Sequence, residues 1–222
     1  MAVGITQTAN PAGVGTSGNV ATYSGVSVGT ASADRVIAVL IGIEEAVTIS
    51  GVTIGGVAMQ LASQSYFTEM GAGIFWAPFP TGTTADVAVT LSGPADSSQN
   101  HIAVYALTDA AFPPQTVGSD SSSDMDTTDP LTTGSVTIPT NGGFIAIAAG
   151  ARAPDAKTWA NATGDIDASV GEHRFTTATR TTAGTVTITC TGGFNGEDGV
   201  LAFMIVSSQQ MPTVVMSPLM PT

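Results

Sequence analysis

Thr84-Ala-Asp-Val-Ala-Val-Thr-Leu-Ser-Gly93 runs, after a polar gap, into His101-Ile-Ala-Val-Tyr-Ala-Leu-Thr108. The chain repeats this phrase later. Ala183-Gly-Thr-Val-Thr-Ile-Thr-Cys-Thr-Gly-Gly193 leads, across a Gly/Asn/Asp/Glu gap, into Val200-Leu-Ala-Phe-Met-Ile-Val-Ser207. The first part of each phrase alternates apolar and polar residues, the pattern of a strand with one buried face. The second part is almost continuously apolar, the pattern of a strand buried on both faces. Glycine marks the turn between them.

Working outward, the same order of patterns precedes each phrase. Val26 and Val28 alternate, Val36 to Ile43 is an apolar run, Val47 to Ile54 alternates up to Gly55-Gly56, and Gly73 to Ala77 is short and aromatic. In the second half Ser135 to Ile138 alternates, Asn141-Gly-Gly is a turn, and Phe144 to Ala149 matches Val36 to Ile43 in role. Lys157 to Trp159 and Arg174 to Thr177 read as shorter strands. Regular strands with Gly/Pro/Asn turns and no amphipathic helix predict an all-β fold, an antiparallel β-sandwich or jelly-roll-like domain. Residues 24–108 and 131–207 form two similar halves in this reading, with strands intercalating in one core over 21–208. Residues 1–20 and 209–222 are expected to be extended arms.

The composition excludes some classes. Only 10% of the 222 residues are charged, and 5 Lys+Arg stand against 17 Asp+Glu for a net charge of −12. Nucleic-acid binding needs a basic stripe to displace phosphate counterions, and an anionic membrane surface needs the same. Both partners are excluded by this reading. The one cysteine, Cys190, sits in a predicted strand, so no internal disulfide forms. The first residues lack the basic and apolar regions of a signal peptide, and no apolar run is long enough to span a bilayer as a helix. A protein made in a cytoplasm is expected, which leaves the Asn161-Ala-Thr163 sequon without a role.

Candidate chemistry is sparse. Gly25-Val-Ser-Val-Gly29 has the letters of a nucleophile elbow, but its valines alternate like a strand and no helix follows. His101 and His173, the only histidines, sit in no triad context. Asp120, Asp124, Asp126 and Asp129 could offer oxygens to Ca²⁺, although the spacing lacks the glycine and distal glutamate of a calcium loop. Their serine-rich surroundings read equally as a solvated connector. Asp165, Asp167 and Glu172 are a weaker version of the same idea. Trp76, with Phe75, Phe79, Tyr66 and Phe67, could present an aromatic platform to a carbohydrate. Core packing is the simpler reading, because Phe75 and Trp76 point to opposite faces of one strand. No phosphate loop, zinc spacing or dinucleotide fingerprint is present, and no cofactor or catalytic residue is expected.

The segment Met211-Pro-Thr-Val-Val-Met-Ser-Pro-Leu-Met-Pro-Thr222 is apolar, uncharged and broken by three prolines. Proline excludes helix and ladder, so the segment is extended. Met211, Val214, Val215, Met216, Leu219 and Met220 need a surface to cover, either their own domain or a neighbour.

Ser50-Gly-Val-Thr-Ile-Gly-Gly-Val-Ala58 followed by Pro80-Thr-Gly-Thr-Thr-Ala-Asp-Val-Ala-Val-Thr-Leu-Ser-Gly93 resembles an uncharacterised type of tailed-bacteriophage and prophage virion structural protein, of head decoration, head fibre or tail-tip kind. The resemblance spans most of residues 20–207. It implies a non-enzymatic virion component made in the host cytoplasm, and carries no catalytic residues. Its partners would be other virion proteins, major capsid or tail proteins, and further copies of itself, with a trimer among the options. The leading expectation is a capsid decoration or cement subunit. The alternative is a tail-tip or fibre module that binds a receptor carbohydrate.

Overall fold

The computed structural model describes residues 1–11, 13–44, 46–96, 100–123, 130–150, 156–170, 173–192 and 198–209. The chain is all-β with antiparallel sheets, and no helix occurs among the described residues. The strands are β1 (Gly4–Ala9), β2 (Val20–Ser27), β3 (Val36–Glu44), β4 (Ile49–Ile54), β5 (Val57–Ala58), β6 (Gln60–Phe67), β7 (Met70–Pro78), β8 (Thr84–Leu91) and β9 (Asn100–Thr108). They continue as β10 (Thr116–Ser122), β11 (Leu131–Ile138), β12 (Gly143–Gly150), β13 (Thr158–Ala160), β14 (Thr163–Val170), β15 (His173–Arg180), β16 (Gly184–Thr191) and β17 (Gly199–Val206).

Four sheets form. A first outer sheet has the order β2-β8-β4-β5 and a first inner sheet the order β1-β9-β3-β7-β6. A second inner sheet runs β10-β17-β12-β15-β14, and a second outer sheet β11-β16-β13. The expected intercalation of the two halves does not occur. Every sheet draws its strands from one half only, because each buried strand finds its partners within its own antiparallel meander and return strand.

Three apolar clusters explain the two sequence patterns. Ile37, Val39 and Ile41 of β3 pack with Val52, Val87 and Val89 between the first outer and first inner sheets. The alternate residues Val36, Ala38 and Leu40 pack against Ile145, Ile147, Phe175 and Met204, between the two inner sheets. Phe144, Ala146, Leu201 and Phe203 pack with Val136, Ile188 and Cys190 on the second outer sheet. Strands β3, β9, β12 and β17 are covered on both faces and so read as unbroken apolar runs, whereas β8 and β16 are covered on one and alternate. The sheets therefore stack in the order first outer, first inner, second inner, second outer.

The stretch expected as an N-terminal arm is extended, and it is also part of the core structure. Gly4–Ala9 pairs antiparallel with β9 as the edge of the first inner sheet, and Val3 N donates to Asn141 O across to the second half at 2.9 Å. Val14 is held by Asn100, whose side chain accepts from Val14 N and donates to Val14 O and Asp96 O, and Thr16 is held by Ala95.

Other polar contacts also cross between the inner sheets. Ser63 and Ser65 of β6 donate to the Gly118 and Asp120 carbonyls of β10 at 2.6 and 2.9 Å. Gly42 is a close-approach point: a Cβ there would lie 2.7 Å from the Phe175 ring. Arg35 is an anchor that the sequence reading missed. It is 1% exposed, and its guanidinium donates to five carbonyls, those of Val28, Gly29, Phe79, Thr81 and Gly82. All five guanidinium N–H donors can be satisfied by such a fork of carbonyls, which ties two loops to the start of β3.

Candidate functional site

The sequence candidates disperse. Trp76 is 6% exposed in the cluster between the inner sheets, with its ring 4.5 Å from that of Phe112. It has no face for a sugar, because β7 is covered on both sides, and the platform expected of it is corrected to a core role. Phe75 is buried on the opposite face. Asp120 lies on β10, where its Oδ2 accepts from Thr132 N at 2.7 Å. Asp124, Asp126 and Asp129 lie outside the described residues, as do Met211, Val214, Val215, Met216, Leu219 and Met220. Among the described residues, no group of three or more His, Cys, Asp or Glu side chains could hold a metal ion. Cys190 is a buried thiol, in no disulfide, in the second outer cluster. Gly25-Val-Ser-Val-Gly29 is the bulged end of β2 with Gly25 at φ 62°, not a strand-to-helix turn.

The two histidines meet the inner interface at one end. His101 of β9 is 4% exposed and stacks 4.5 Å from Phe175 of the other inner sheet. Its Nε2 faces Asn10 Oδ1. His173 of β15 is fully buried, and its Nδ1 is 2.7 Å from Glu44 Oε2 of β3. Both contacts are to oxygen acceptors, so those nitrogens carry the protons. His101 Nδ1 and His173 Nε2 are then buried lone pairs without a partner. Burial pushes both imidazoles down to about 4, with the neighbouring His173 adding to the effect at His101. The Glu44 carboxylate at the edge does not outweigh that desolvation.

One concavity with side-chain chemistry lies in the second half. A cleft of ≈ 320 Å³ opens between β13 and β14, lined by Lys157, Trp159, Gly164, Asp165, Asp167 and Thr176 among others. Trp159 is partly buried, and its Nε1 donates to Thr176 Oγ1 at 2.8 Å, which in turn donates to Ile166 O. The indole is thereby fixed. Gly164 leaves space for it, since a Cβ there would sit 3.3 Å from Trp159 Cδ1. The pairing of β14 with β15 slips between Gly164 and Ile166, making Asp165 the extra residue of a bulge. A bulge turns its side chain away from the regular pleat. Asp165 accepts from Tyr105 OH at 3.1 Å and from Thr179 Oγ1 at 3.2 Å. Burial raises its carboxyl above the ordinary range, and these two hydrogen bonds oppose the shift. Asp167 is held by Arg174 through Nε and Nη2 at 2.5 and 2.7 Å.

Lys157, Trp159, Asp165 and Asp167 were visible in the sequence only as strand residues and weak calcium ligands. Their convergence depends on the bulge and on the turn at Asn161 (φ 65°), neither of which has a strong sequence signal. Comparison with family models, with curated proteins and with solved structures finds no match to this chain.

Proposed function

We propose that this chain is a non-enzymatic structural subunit of a tailed-phage particle, a capsid decoration or cement protein made in the host cytoplasm and built as two similar sandwich-like halves in tandem. The repeat is supported by strand order and register. Replacing β1, β2, β3, β4, β6, β7, β8 and β9 by β10 to β17 in sequence turns the first pair of sheet orders into the second, with β5 as the one addition. The irregularities repeat as well. The β2–β8 pairing slips between Tyr23 and Val26 around Gly25, and the β11–β16 pairing between Thr132 and Ser135 around Gly134, with φ values of 62° and 64°.

The observation that carries the assembly role is the anchored start of the apolar tail. Ala111 N donates to Ser207 O, and Gln209 N donates to Asp109 O, each at 2.8 Å. Gln209 Nε2 adds a bond to Ala110 O at 3.1 Å. An apolar, proline-punctuated segment thus follows a fixed point on a charge-poor body. Few charges need desolvating when such a body meets a neighbour. Leu61 and Val117 are also nearly half exposed, at 47% and 46%, on the adjoining edges β6 and β10. The partners in this reading are capsid or tail proteins and other copies of the chain.

The test is the heat resistance of particles assembled with the full chain, with a chain ending at Gln209, and without the protein. Loss of resistance in the last two supports the reading. Equal resistance in all three contradicts it. A second reading, a tail-tip or fibre module for a surface carbohydrate, no longer rests on Trp76. The Trp159 cleft is the observation that favours it.

A further inference from the structure

We propose that the concavity at Arg180 is a socket for one carboxylate, carried by an acidic side chain of a neighbouring copy of the chain. The source of the carboxylate rests on the assembly reading, and the socket itself does not.

The guanidinium is fixed in advance. A concavity of ≈ 280 Å³ lies at one end of the second half, lined by Asn161, Ala162, Thr163, Arg180, Thr181 and Thr182. Arg180 closes β15, and its cross-strand partner Phe144 belongs to the second outer cluster. Paired residues share a face, so the Arg180 side chain lies on the outer-sheet side of the second inner sheet. There it joins two turns. Its Nη1 donates to Asn161 O at 2.7 Å and its Nε to Thr182 O at 3.1 Å. Asn161 is tied in turn to β16, with Nδ2 donating to Thr187 O at 2.8 Å. A guanidinium has five N–H donors, so three remain for a ligand, two on Nη2 and one on Nη1. A side chain already held loses little freedom when a partner binds.

The first half supplies the contrast. In the proposed tandem arrangement β7 and β8 correspond to β15 and β16. The β7–β8 connection is closed by Arg35, which is buried and whose donors all end on carbonyls. At the β15–β16 connection the arginine is partly buried and keeps donors to offer. Among the described residues no carboxylate pairs with it.

The surroundings favour an anion. From Phe175 to Phe194 Arg180 is the one charged residue, and from Thr158 to Gly164 there is none. Asp165, the next acid along β14, accepts from Thr179, which is paired with Ile145 of the inner-interface cluster. Thr179 and Arg180 are neighbours on one strand and point to opposite faces, so this acid is turned away from the socket. What remains is a cationic point among the threonines of two turns, in a chain of net charge −12.

The chemistry selects a carboxylate. The planar donors of a guanidinium match its two oxygens. A sulfate or phosphate dianion suits the place less, because one cation leaves a charge unmatched and the field of the whole chain repels a dianion more strongly. Two copies of an acidic chain also repel at long range, so a contact between them needs local complementarity. Each copy offers 17 acidic side chains and 5 basic ones, and an unpaired arginine is where such an acid gains most.

The test has two arms, both on the full chain. In the first, the Arg180 Nε–H resonance and the Thr182 amide are followed by ¹H–¹⁵N correlation during titration with sodium acetate, sodium sulfate and, at matched ionic strength, sodium chloride. Acetate should move both signals saturably, half complete on the order of 10–100 mM, the range of one charge-assisted pair. Chloride should not. The Thr182 amide should stop responding to acetate in Arg180→Gln. In the second arm, mass is measured by light scattering across protein concentrations. Arg180→Gln should raise the concentration at which the oligomer dissociates by about tenfold, and Arg180→Glu by more, with the melting temperature kept. Arg180→Lys should fall between parent and Arg180→Gln, since an ammonium lacks the fork. If a variant fails to fold, the acetate titration of the parent still decides the socket. The proposal is overturned if acetate acts no differently from chloride, if sulfate binds more tightly than acetate, or if Arg180→Glu assembles as the parent does. A chain that binds acetate yet is monomeric throughout removes the neighbouring copy together with the assembly reading. An oligomer that ignores both acetate and the Arg180 variants removes the socket alone.

Discussion

In the proposed tandem arrangement, the two halves meet the same structural problem and solve it differently at one place. Beside β7, strand β6 passes its bulge with Leu61-Ala-Ser63, and the neighbouring outer sheet is extended by β4 and the added β5. Beside β15, strand β14 passes the matching bulge with Gly164-Asp-Ile166, and the outer sheet ends in the three-residue β13. The first half also has Arg35 immediately before β3, where the second half has Gly142 before β12. In that reading, the repeated features are those a double sheet needs: buried strands, return strands and glycine bulges. Departures from the repeat either bolt one half more firmly or open a cleft.

The largest expected effect acts where the halves join. Between the unfolded value near 6.5 and the folded value of about 4, the unfolded chain binds more protons than the native one at both His101 and His173. Stability is therefore full above about pH 6.5 and is lost as the pH falls toward 4. The loss is about 2–3 kcal/mol per histidine near pH 4.5. Asp165 works in the opposite direction, since its raised folded value relieves strain on acidification. Urea midpoints at pH 7 and 4.5 should fall steeply for the parent and much less for a His101→Gln, His173→Gln double variant. Equal slopes would remove the inner interface as the pH-sensitive seam.

Next is the bolt peculiar to the first half. Arg35→Ala strands five carbonyls, and a loss of about 3–4 kcal/mol is expected in urea unfolding at pH 7. Arg35→Lys should recover less than half, because an ammonium cannot match the fork. A loss below about 1 kcal/mol would show that the loops do not depend on it. Smaller again is Gly42→Ala, at about 1–3 kcal/mol, from overpacking against Phe175 between the inner sheets.

The finest comparison exchanges the two bulges. Ala62→Asp places a carboxylate against the inner core without Tyr105 to serve it, and should lose about 1–3 kcal/mol. Asp165→Ala should change stability by less than about 1 kcal/mol, because the exposed carboxyl gives up only its bonds to Tyr105 and Thr179 at 3.1 and 3.2 Å, and Tyr105 keeps Thr177 at 2.6 Å. A large loss on Asp165→Ala would make its bond to Tyr105 a tie between the inner sheets.

Much of the architecture was legible because burial on one face or two leaves different periods in the sequence. Val36 to Ile43 and Val200 to Val206 announced their place between two layers, and Thr84 to Leu91 its place on one. The segregation of sheets by half was not legible, since an apolar strand carries no mark of which buried partner it pairs with. Gly4–Ala9 read as an arm because Thr and Gln dominate it, and its pairing with β9 depends on a backbone edge rather than on side chains. Trp76 left two readings open, with core packing the simpler, since an aromatic on a two-sided strand and one at a cleft look alike in sequence, and burial between the inner sheets decides for the core. Trp159 gained its site from Gly164 and a bulge, both of which are tertiary facts.

The most direct test of the assembly account is the solution mass, by light scattering on a sizing column, of the full chain beside a chain ending at Gln209. That truncation keeps the Asp109 and Ala110 anchor bonds and removes Met211 to Thr222. The account predicts a defined oligomer for the full chain and a monomer for the shorter one. Equal masses for the two would contradict a tail that joins subunits.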